Sequence, residues 1–507
     1  MTTRIQPIRR TQPLDRETLD RILMVELELL RQELPDLQKF RDYLEGRQGE
    51  MVFETDKFKK EFGTVFAGFR DNWCAPVIDA VADKLIWEGI VLGADKDEQE
   101  ANKDLSRRLW DIFRENDIDE QQGELFESAL TQGRAYAIAW PDEDLPSGVR
   151  IDWNPADLVR VRYADDDPRR IIWGMKRWLA PSGEIYITEY TRDFIYKWVE
   201  NTQPMSGNTL TGIDAQRPTI APTFSKRRRE VPGEEWPLPN PFGVVPIVEF
   251  NNKRGSELED VIPLQDAVNH LMLQVLSASG FEGLKQRVFF TGVKEPTGGW
   301  SNKPGTVWQV KPDIDPDGKL VHGSAFEFSS ADLNGLRGLV EMVLQHMALQ
   351  TKTPVRMFFH SDRGGRGDAP SGESLLVEDQ PLLDKVANRQ KRFGNAGMRL
   401  ARLVALMADG LPNDIPLGEM DWHDPRSRYR TALIEEGAIM VDKMGLPVRF
   451  VATQLGLSRE EQDLLMLELD AQEEKKERER ERELQARRQA LETRDNSNNP
   501  DTPTDRE

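Results

Sequence analysis

The chain has 507 residues and a formal net charge of −20, which gives enough length for two to four domains. No stretch reaches the roughly 18 apolar residues that a membrane span needs, and residues 1–17 lack the apolar core of a secretory signal. The acidic excess argues against a general nucleic-acid binder. The single cysteine, Cys74, excludes an internal disulfide framework. We therefore expect a protein that is made in a cytoplasm and has no membrane anchor.

The N-terminal part is predicted to be helical. Leucines at steps of three and four follow Pro13, and Pro35 is expected to interrupt the first helix. Cys74 lies on the apolar face of the second helix, so it is predicted to be a buried structural thiol rather than a nucleophile. Gly133 provides a C-terminal stop for the last helix. The predicted helices cover residues 14–45, 72–86, 98–115 and 119–132.

From Arg134 onward the period changes to that of β-strands. Short segments rich in β-branched and aromatic residues alternate with turn signals such as PDEDLPSG, which indicates an antiparallel sheet. Residues 200–240 are rich in Pro, Ser, Thr and Gly and are predicted to form a loop or flexible insertion. The predicted strands cover residues 135–140, 149–153, 158–163, 171–179 and 184–191.

Residues 259–283 carry the most informative pattern in the chain. A stripe of apolar residues has the spacing of one face of a helix roughly 35 Å long. We expect this stripe to be buried against identical neighbours, while polar residues on the other side face a water-filled bore. The stripe consists of Val261, Leu264, Val268, Leu271 and Val275, and the polar residues are Gln265, Asn269, Gln274 and Ser277.

A second helix is predicted at 332–351, after a compact β-type insert with strands at 287–292, 304–310 and 320–328. Its apolar face carries Leu336, Val340, Val343 and Met347. A glycine-rich loop follows at 358–374. Beyond it we expect a long helix at 374–409 that is kinked at Pro381 and Gly394, a helical region at 411–470, and a charged tail whose last thirteen residues are disordered by composition.

Enzyme signatures are scarce. The chain has no P-loop, no GxGxxG after a strand, no GxSxG and no HExxH, and its five histidines are scattered. Three consecutive acids, Asp165–Asp167, could gather a divalent cation, although their position beside Pro168 is more typical of an exposed turn. No catalytic, cofactor-binding or metal-binding residue is assigned, and no cofactor is expected.

The chain resembles the portal proteins of tailed bacteriophages, in particular the long-tailed type found in phages of actinobacteria. The resemblance spans about residues 15–465. It rests on the order and spacing of four segments: NWCAPVIDAVADKLIWEGI at 72–90, ALTQGRAYAIAW at 129–140, DWNPADLVRVRYADDDPRRIIWGMKRW at 152–178, and NPFGVVPIVEFNNKRGSELEDVIPLQDAVNHLM at 240–272. The 200–240 insertion has no counterpart in that pattern.

The resemblance implies an α+β, mostly α, subunit of a dodecameric ring at one vertex of the phage head. In this chain it implies a wing at 1–255, stem helices at 256–286 and 332–357, a small β-rich clip at 287–331, and a tunnel loop at 358–373. A long wing helix at 374–410, a crown at 411–470 and a charged, then disordered tail at 471–507 complete the division. The nine stripe residues of the two stem helices would form the face between subunits.

The resemblance also implies partners and a location. Double-stranded DNA would pass through the ring without sequence-specific contacts, during both packaging and ejection. The clip would dock the terminase motor and later the head-completion proteins, and the ring would meet the major capsid and scaffolding proteins. The protein would assemble in the host cytoplasm and end in the virion. The residues expected to touch DNA in the tunnel loop are Ser361, Asp362, Arg363, Gly364, Gly365, Arg366, Gly367 and Asp368.

Two other interpretations remain open from the sequence. One is a metal-dependent enzyme that uses the acidic turn Asp165–Asp167 and the scattered histidines. The other is a cytoplasmic scaffold with a helical C-terminal arm, which would be a monomer or a dimer rather than a ring. Metal binding tests the first alternative, and the number of subunits tests the second.

Overall fold

A computed structural model describes residues 13–48, 69–200, 236–283, 333–358 and 372–426. It also describes shorter pieces at 224–226, 287–290, 313–314, 317–321, 324–327 and 447–454, and single residues between 437 and 480. The chain forms two compact units. The first comprises Met1–Gly367 and Glu378–His423, and the second comprises Asp368–Val377 and Asp424–Glu507. In the second unit, Arg426 pairs with Asp424 at 3.1 Å, and a short helix covers Val448–Gln454.

Helices predominate among the described residues. Asp15 caps the first of them, because its carboxylate accepts a hydrogen bond from the backbone N–H of Thr18 at 2.9 Å. Gly133, at φ +81°, follows the fifth helix, as its predicted role as a stop requires. The helices are α1 (Arg16–Leu44), α2 (Cys74–Ala82), α3 (Lys96–Ala101), α4 (Lys103–Glu115), α5 (Ile118–Thr131), α6 (Ile262–Gly283), α7 (Leu333–Thr351), α8 (Gly372–Met407) and α9 (Val448–Gln454).

The strands form antiparallel sheets rather than one continuous sheet. A three-stranded sheet has the order β10-β2-β3, and a six-stranded sheet has the order β4-β5-β6-β7-β8 with β9 also on β7. Strands β1 and β15 form a separate pair, as do β11 with β14 and β12 with β13. The strands are β1 (Trp87–Leu92), β2 (Arg134–Pro141), β3 (Val149–Pro155), β4 (Val159–Ala164), β5 (Asp167–Leu179), β6 (Ile185–Thr191), β7 (Phe194–Glu200), β8 (Phe224–Lys226), β9 (Leu238–Pro239), β10 (Ile247–Asn251), β11 (Arg287–Phe290), β12 (Asp313–Ile314), β13 (Leu320–Val321), β14 (Ser324–Glu327) and β15 (Gly418–Trp422).

Helix α1 packs on the six-stranded sheet and runs through Pro35 without ending. Its first half buries a leucine stripe that includes Leu19 and Leu23 against Trp173, Trp198 and their neighbours on β5 to β7. The expected interruption at Pro35 is therefore wrong. Proline removes one intrahelical hydrogen bond, but tertiary contacts on both sides of Pro35 hold the helix in one piece.

Ion pairs provide those contacts. Arg160 on β4 binds Glu26 at 2.7 Å and Glu33 at 2.9 Å, and these two acids lie two helical turns apart on one face of α1. Beyond Pro35, Arg41 binds Asp157 at 2.7 Å. Both halves of α1 are thus fixed to the same body, because charge-assisted hydrogen bonds of this geometry are stronger than neutral ones.

The largest core is centred on Trp87 of β1. The Trp87 ring lies 4.9 Å from the ring of Phe126, 5.9 Å from that of Phe250 and 5.7 Å from that of Trp422. Helix α8 packs directly against this aromatic cluster. A Cβ atom at Gly397 would meet Met420 at 2.8 Å, so this glycine allows α8 to approach β15 closely. Gly394, expected at a kink, likewise faces Trp422.

The structure contains strands where the sequence indicated none. Strand β7 extends the sheet, and β15 lies inside the region 411–470 that was expected to be helical. In β15, Met420 is buried while Glu419 and Asp421 on either side of it are exposed. This alternation is that of a strand, and it determined the structure of the segment in spite of the helical pattern around it. Within the 200–240 insertion, β8 and β9 both pair with β7. Residues 201–223 and 227–235 of that insertion lie outside the described ranges.

Candidate functional site

Helices α6 and α7 pack against each other and form, with the strands between them, a helical hairpin. Strand β11 begins four residues after α6 ends, and β14 ends shortly before α7 begins. These two strands pair in antiparallel register, with Arg287 opposite Glu327. A second strand pair, β12 with β13, lies inside this loop. The predicted order of helix, β-type insert and returning helix is therefore present, although the predicted strand at 304–310 lies outside the described residues.

The apolar stripes of the hairpin face the interior of the subunit at its base. Val261, Val268 and Met347 are buried in the main core, so in this structure their packing partners belong to the same chain. Leu264, Val340 and Val343 are partly buried against that core. The other three stripe residues, Leu271, Val275 and Leu336, are partly exposed. The exposed apolar residues of α7 are Leu339, Met342 and Leu349.

The polar side of α6 does not face solvent, which corrects the expectation for Gln265, Asn269 and Ser277. All three are at least 95% buried. Gln265 donates from Nε2 to the backbone carbonyl of Asp71 at 2.7 Å, and its Oε1 accepts from the backbone N–H of Trp73 at 2.7 Å. Asn269 Oδ1 accepts from the backbone N–H of Asp71 at 3.2 Å. Gln274 is partly buried beside His270.

These contacts have a local cause at the start of α2. Trp73 is the N-cap of that helix and has no side-chain oxygen to satisfy the first backbone N–H groups. Gln265 supplies the missing acceptor from another helix, while Asn72 accepts from the N–H of Cys74 at 3.1 Å. The side-chain amides of Gln265 and Asn269 thus form hydrogen bonds with the backbone of Asp71 and Trp73, just before α2. These bonds explain why the polar side of α6 is buried rather than exposed to water.

A buried ion cluster fixes the base of the hairpin to α8. Glu257, just before α6, binds Lys385 at 3.0 Å and also pairs with Arg389. Burial by itself raises the pKa of the Glu257 carboxyl, but the charges of Lys385 and Arg389 outweigh this and lower the pKa to about 2. Lys385 also donates to the carbonyl of Thr351 at the end of α7, at 3.0 Å. No local sequence pattern predicts this cluster, because its members are far apart in the chain.

The predicted tunnel loop lies outside the described residues, so the structure gives no position for Ser361 through Asp368. On the N-terminal side of the loop, Phe358 is buried. Arg356, in a short 3₁₀ turn at Val355–Met357, lies 2.6 Å from Asp379 of α8. Phe358, which precedes the gap, and the part of α8 that contains Asp379 therefore both belong to the first unit.

The acidic turn Asp165–Asp167 connects β4 to β5, and the carboxylates of Asp166 and Asp167 form hydrogen bonds with nearby residues. Both carboxylate oxygens of Asp166 accept from Arg170, at 2.7 and 3.0 Å, and Asp167 accepts from the backbone N–H of Arg169. Across the described parts of the chain, no group of three or more His, Cys, Asp or Glu side chains is arranged to hold a metal ion. Cys74 is fully buried, and burial raises the pKa of its thiol to about 12, as expected of a structural thiol.

Comparison with known proteins gives a family match and distant structural similarities. The family model described as "Phage portal protein, SPP1 Gp6-like" matches residues 28–443. The solved structures that match include one titled "Neck of empty GTA particle computed with C6 symmetry", at 14% identity and TM-score 0.40, and "Virion of native gene transfer agent (GTA) particle", at 13% identity and TM-score 0.38. In both cases 81% of this chain covers 96% of the other chain. No curated protein matches.

The fold is thus an α+β body that carries a two-helix hairpin with a small β-type insert. Because the family model covers most of its length, the chain belongs to the phage portal protein family of the SPP1 Gp6-like type. Its role is that of a phage portal vertex protein, and neither alternative interpretation is supported. None of the helices in the described ranges is long and apolar enough to cross a membrane.

Proposed function

We propose that this protein forms a ring-shaped channel through which double-stranded DNA enters and leaves the phage head. The observation that carries the proposal is the family match over residues 28–443, which includes the whole helical hairpin. The order of helices α6 and α7 around a small β-type insert supports a stem made by the hairpin and a clip made by the insert. The ring is homo-oligomeric, and we propose twelve subunits.

The remaining divisions of the chain and its partners belong to the same proposal. The wing comprises residues 1–255 together with the helix at 374–410, the crown comprises 411–470, and the tunnel loop lies at 358–373. The clip docks the terminase motor and then the head-completion proteins, while the outer parts of the ring meet capsid and scaffolding proteins. The subunit itself performs no catalysis, so ATP hydrolysis belongs to the motor. Assembly takes place in the host cytoplasm.

The proposed stem contact between subunits includes fewer of the nine stripe residues than the sequence pattern predicts. Val261, Val268 and Met347 are buried within the subunit and have little surface left for a neighbour. We assign the contact to stripe residues that keep exposed surface, such as Leu271 and Leu336. Leu339 and Met342 of α7, which are 43% and 45% exposed, extend the same surface. Apolar side chains with this much exposure on a helix are consistent with burial in an assembly.

The first experiment is electron microscopy of the purified protein, combined with its mass from light scattering. Rings with a central hole and a mass near twelve chains support the proposal. A ring of another size would correct the stoichiometry alone. A protein that stays a monomer or dimer, even with capsid and scaffolding proteins supplied, contradicts the channel.

DNA contact by the tunnel loop has a separate test. Arg363 and Arg366 are the basic residues of the glycine-rich loop, and a guanidinium can bind phosphate without reading base sequence. Replacing both with alanine is expected to reduce DNA packaging or retention while rings still form. Arg107→Ala, an exposed change on α4, serves as the control. Normal amounts of packaged DNA in the double variant would contradict a role for these arginines.

A further inference from the structure

A large cleft opens on the first unit, away from the helical hairpin's residues. Its volume is about 1560 Å³, and it lies between the start of α1, strands β4, β5 and β10, and the C-terminal half of α8. Apolar side chains such as Ile22, Phe242 and Leu406 form much of its wall. Arg169, Arg399 and Arg402 line it as well, and we call it the basic cleft.

Six arginines and three acids, Asp193, Glu249 and Asp414, line the basic cleft, so its lining carries a net positive charge. In the described residues, the side chains of Arg169 and Arg402 have no carboxylate partner within ion-pair distance. Arg399 donates to the backbone carbonyl of Glu249 at 3.3 Å. Arg399 and Arg402 lie one turn apart on α8. Burial and the charge of Arg402 lower the pKa of Arg399, while the charge of Glu249 opposes them. Two guanidinium groups are thus held close together, and Glu249 is the acid that acts on Arg399.

A surface of opposite charge lies on α5. Glu120, Glu124 and Glu127 are exposed and fall at positions i, i+4 and i+7, so they line one side of that helix. We call these three residues the acidic ridge. None of them forms an ion pair with a described residue. Burial and the charges of Asp79, Glu124 and Glu45 raise the pKa of Glu127, which shows that the carboxylates repel one another.

A second feature beside the acidic ridge is a pocket whose wall includes unpaired polar groups. A pocket of about 280 Å³ lies along the ridge and is lined by Glu124, Glu127, Thr131 and Gln132. Thr131 and Gln132 are more than 90% buried, yet the Thr131 hydroxyl and the Gln132 amide nitrogen have no hydrogen-bond partner among the described residues. Buried polar groups are normally paired.

The ridge and the cleft lie at opposite ends of α1. Thr18 and Ile22, near its start, line the basic cleft, whereas Arg41 and Leu44, near its end, line the pocket beside the ridge. A helix of 29 residues is roughly 44 Å long. The two surfaces of one chain are therefore too far apart to neutralise each other. In a head-to-tail contact between two copies, one of these surfaces on the first copy would meet the other surface on the second copy.

We propose that the basic cleft of one subunit receives the acidic ridge of the next subunit in the ring. The contact brings Glu120, Glu124 and Glu127 of one copy to Arg169, Arg399 and Arg402 of its neighbour. It offsets part of the repulsion between chains that each carry a net charge of −20. This inference rests on the proposed ring, and it adds the surfaces by which adjacent bodies recognise each other.

Charge reversal on each surface tests the contact. Arg402→Glu and Glu124→Lys, each alone, are expected to lower the fraction of protein in rings at least tenfold at a fixed concentration, because each places like charges together. The combined variant Arg402→Glu/Glu124→Lys is expected to form rings again. Arg107→Glu, which lies on neither surface, should assemble like the wild type. Ring content is measured by light scattering and electron microscopy.

The outcomes separate the two proposals. Normal rings in both single variants, or no recovery in the combined variant when it is folded, overturn the contact and leave the ring proposal intact. Absence of rings in the wild type contradicts the ring itself. If a reversed charge prevents folding, as circular dichroism would show, the neutral variants Arg402→Gln and Glu124→Gln replace it. Each should then raise the concentration needed for assembly, and an unchanged concentration overturns the contact.

Discussion

Glu189 is a carboxylate that is fully buried beneath α1, in the six-stranded sheet. Its two oxygens accept hydrogen bonds from the indole N–H groups of Trp173, at 3.1 Å, and Trp198, at 2.6 Å. Burial raises the pKa of the Glu189 carboxyl to about 7, even though both indoles favour the charged form. No cation within the described residues pairs with it. Glu189 therefore makes the stability of the six-stranded sheet and α1 sensitive to pH near neutrality.

The sign of this dependence follows from proton binding. The folded carboxyl holds its proton more tightly than the unfolded one, whose pKa is near 4.5. Stability is therefore fully present below about pH 4.5 and is lost as the pH rises to about 7. The shift corresponds to about 3 kcal/mol. Glu189→Gln should lack this loss, so the free energy of unfolding of the variant should fall less than that of the wild type between pH 4.5 and 8.

Denaturant unfolding at a series of pH values measures the difference. Glu143→Gln, in the exposed turn between β2 and β3, is the control and should keep the wild-type profile. Parallel pH profiles for Glu189→Gln and the wild type would contradict a raised pKa at this position.

Individual polar residues also show where sequence patterns are insufficient. Gln265 and Asn269 fall on the polar side of an amphipathic helix, and such a side normally faces water. In the structure they satisfy the backbone of residues 71–73, which lie nearly 200 positions earlier in the chain. Periodicity separates polar from apolar faces but does not reveal a distant backbone that needs hydrogen bonds. The burial of Cys74, by contrast, was predicted correctly from the apolar residues beside it in the sequence.

At the level of elements, glycines in α8 illustrate a second ambiguity. A glycine inside a helix can mark a kink or a close approach, and the sequence pattern does not distinguish them. Gly397 lies where α8 contacts β15 and Trp87. An added Cβ would come within 2.8 Å of Met420 and 2.9 Å of Trp87. The close approach explains this glycine.

Gly397→Ala should therefore lower the free energy of unfolding by about 1–3 kcal/mol, since the packed core has no space for the methyl group. Gly123→Ala in α5 is the matched control, because nothing lies within 4 Å of its added Cβ. That change should instead raise stability by about 0.5–1 kcal/mol through helix propensity. Urea unfolding of both variants provides the measurement. Equal effects of the two changes would contradict the close approach.

The strands show which elements a local pattern can identify. Strands were predicted at 149–153 and 184–191 from their composition and flanking turns, and the structure has β3 and β6 there, each paired with a neighbour in the chain. Strands β1 and β15 were missed. They pair with each other across more than 300 residues, so neither has a local hairpin to indicate it. Because β15 is only five residues long, its alternation is easily outweighed by the helical segments around it.

At the scale of the whole molecule, the base of the hairpin is buried in the body of the subunit, whereas the outer part of α7 is more exposed. Leu344, Met347 and Ala348 of α7 are buried in the main core, but residues 333–343 are exposed or partly exposed. The base of the hairpin therefore belongs to the core of the subunit. Its outer part contributes little to folding of the isolated chain, so its apolar surface is available for contacts in the ring.

Replacing residues 284–332 with a short Gly-Ser linker should lower the unfolding midpoint by less than about 4 °C. The pairing of β11 with β14 shows that the two cut ends lie close together. The variant should lose binding to the packaging motor, because the proposed clip is gone. Thermal unfolding and a pull-down with the motor measure the two effects. A large fall in the midpoint would mean that the insert is part of the folding core, and retained motor binding would contradict the proposed clip.

The sequence by itself determined the long amphipathic helices, most strands between residues 134 and 191 and the order of the hairpin, because periodicity and turn residues are local signals. That order, together with the motifs that resemble portal proteins, was sufficient for the family. Only the tertiary structure decided which faces are available. It buried the polar side of α6, joined Glu257 to Lys385 and Arg389, and placed the basic cleft and the acidic ridge at opposite ends of α1. These arrangements depend on contacts between distant parts of the chain, for which local sequence carries no signal.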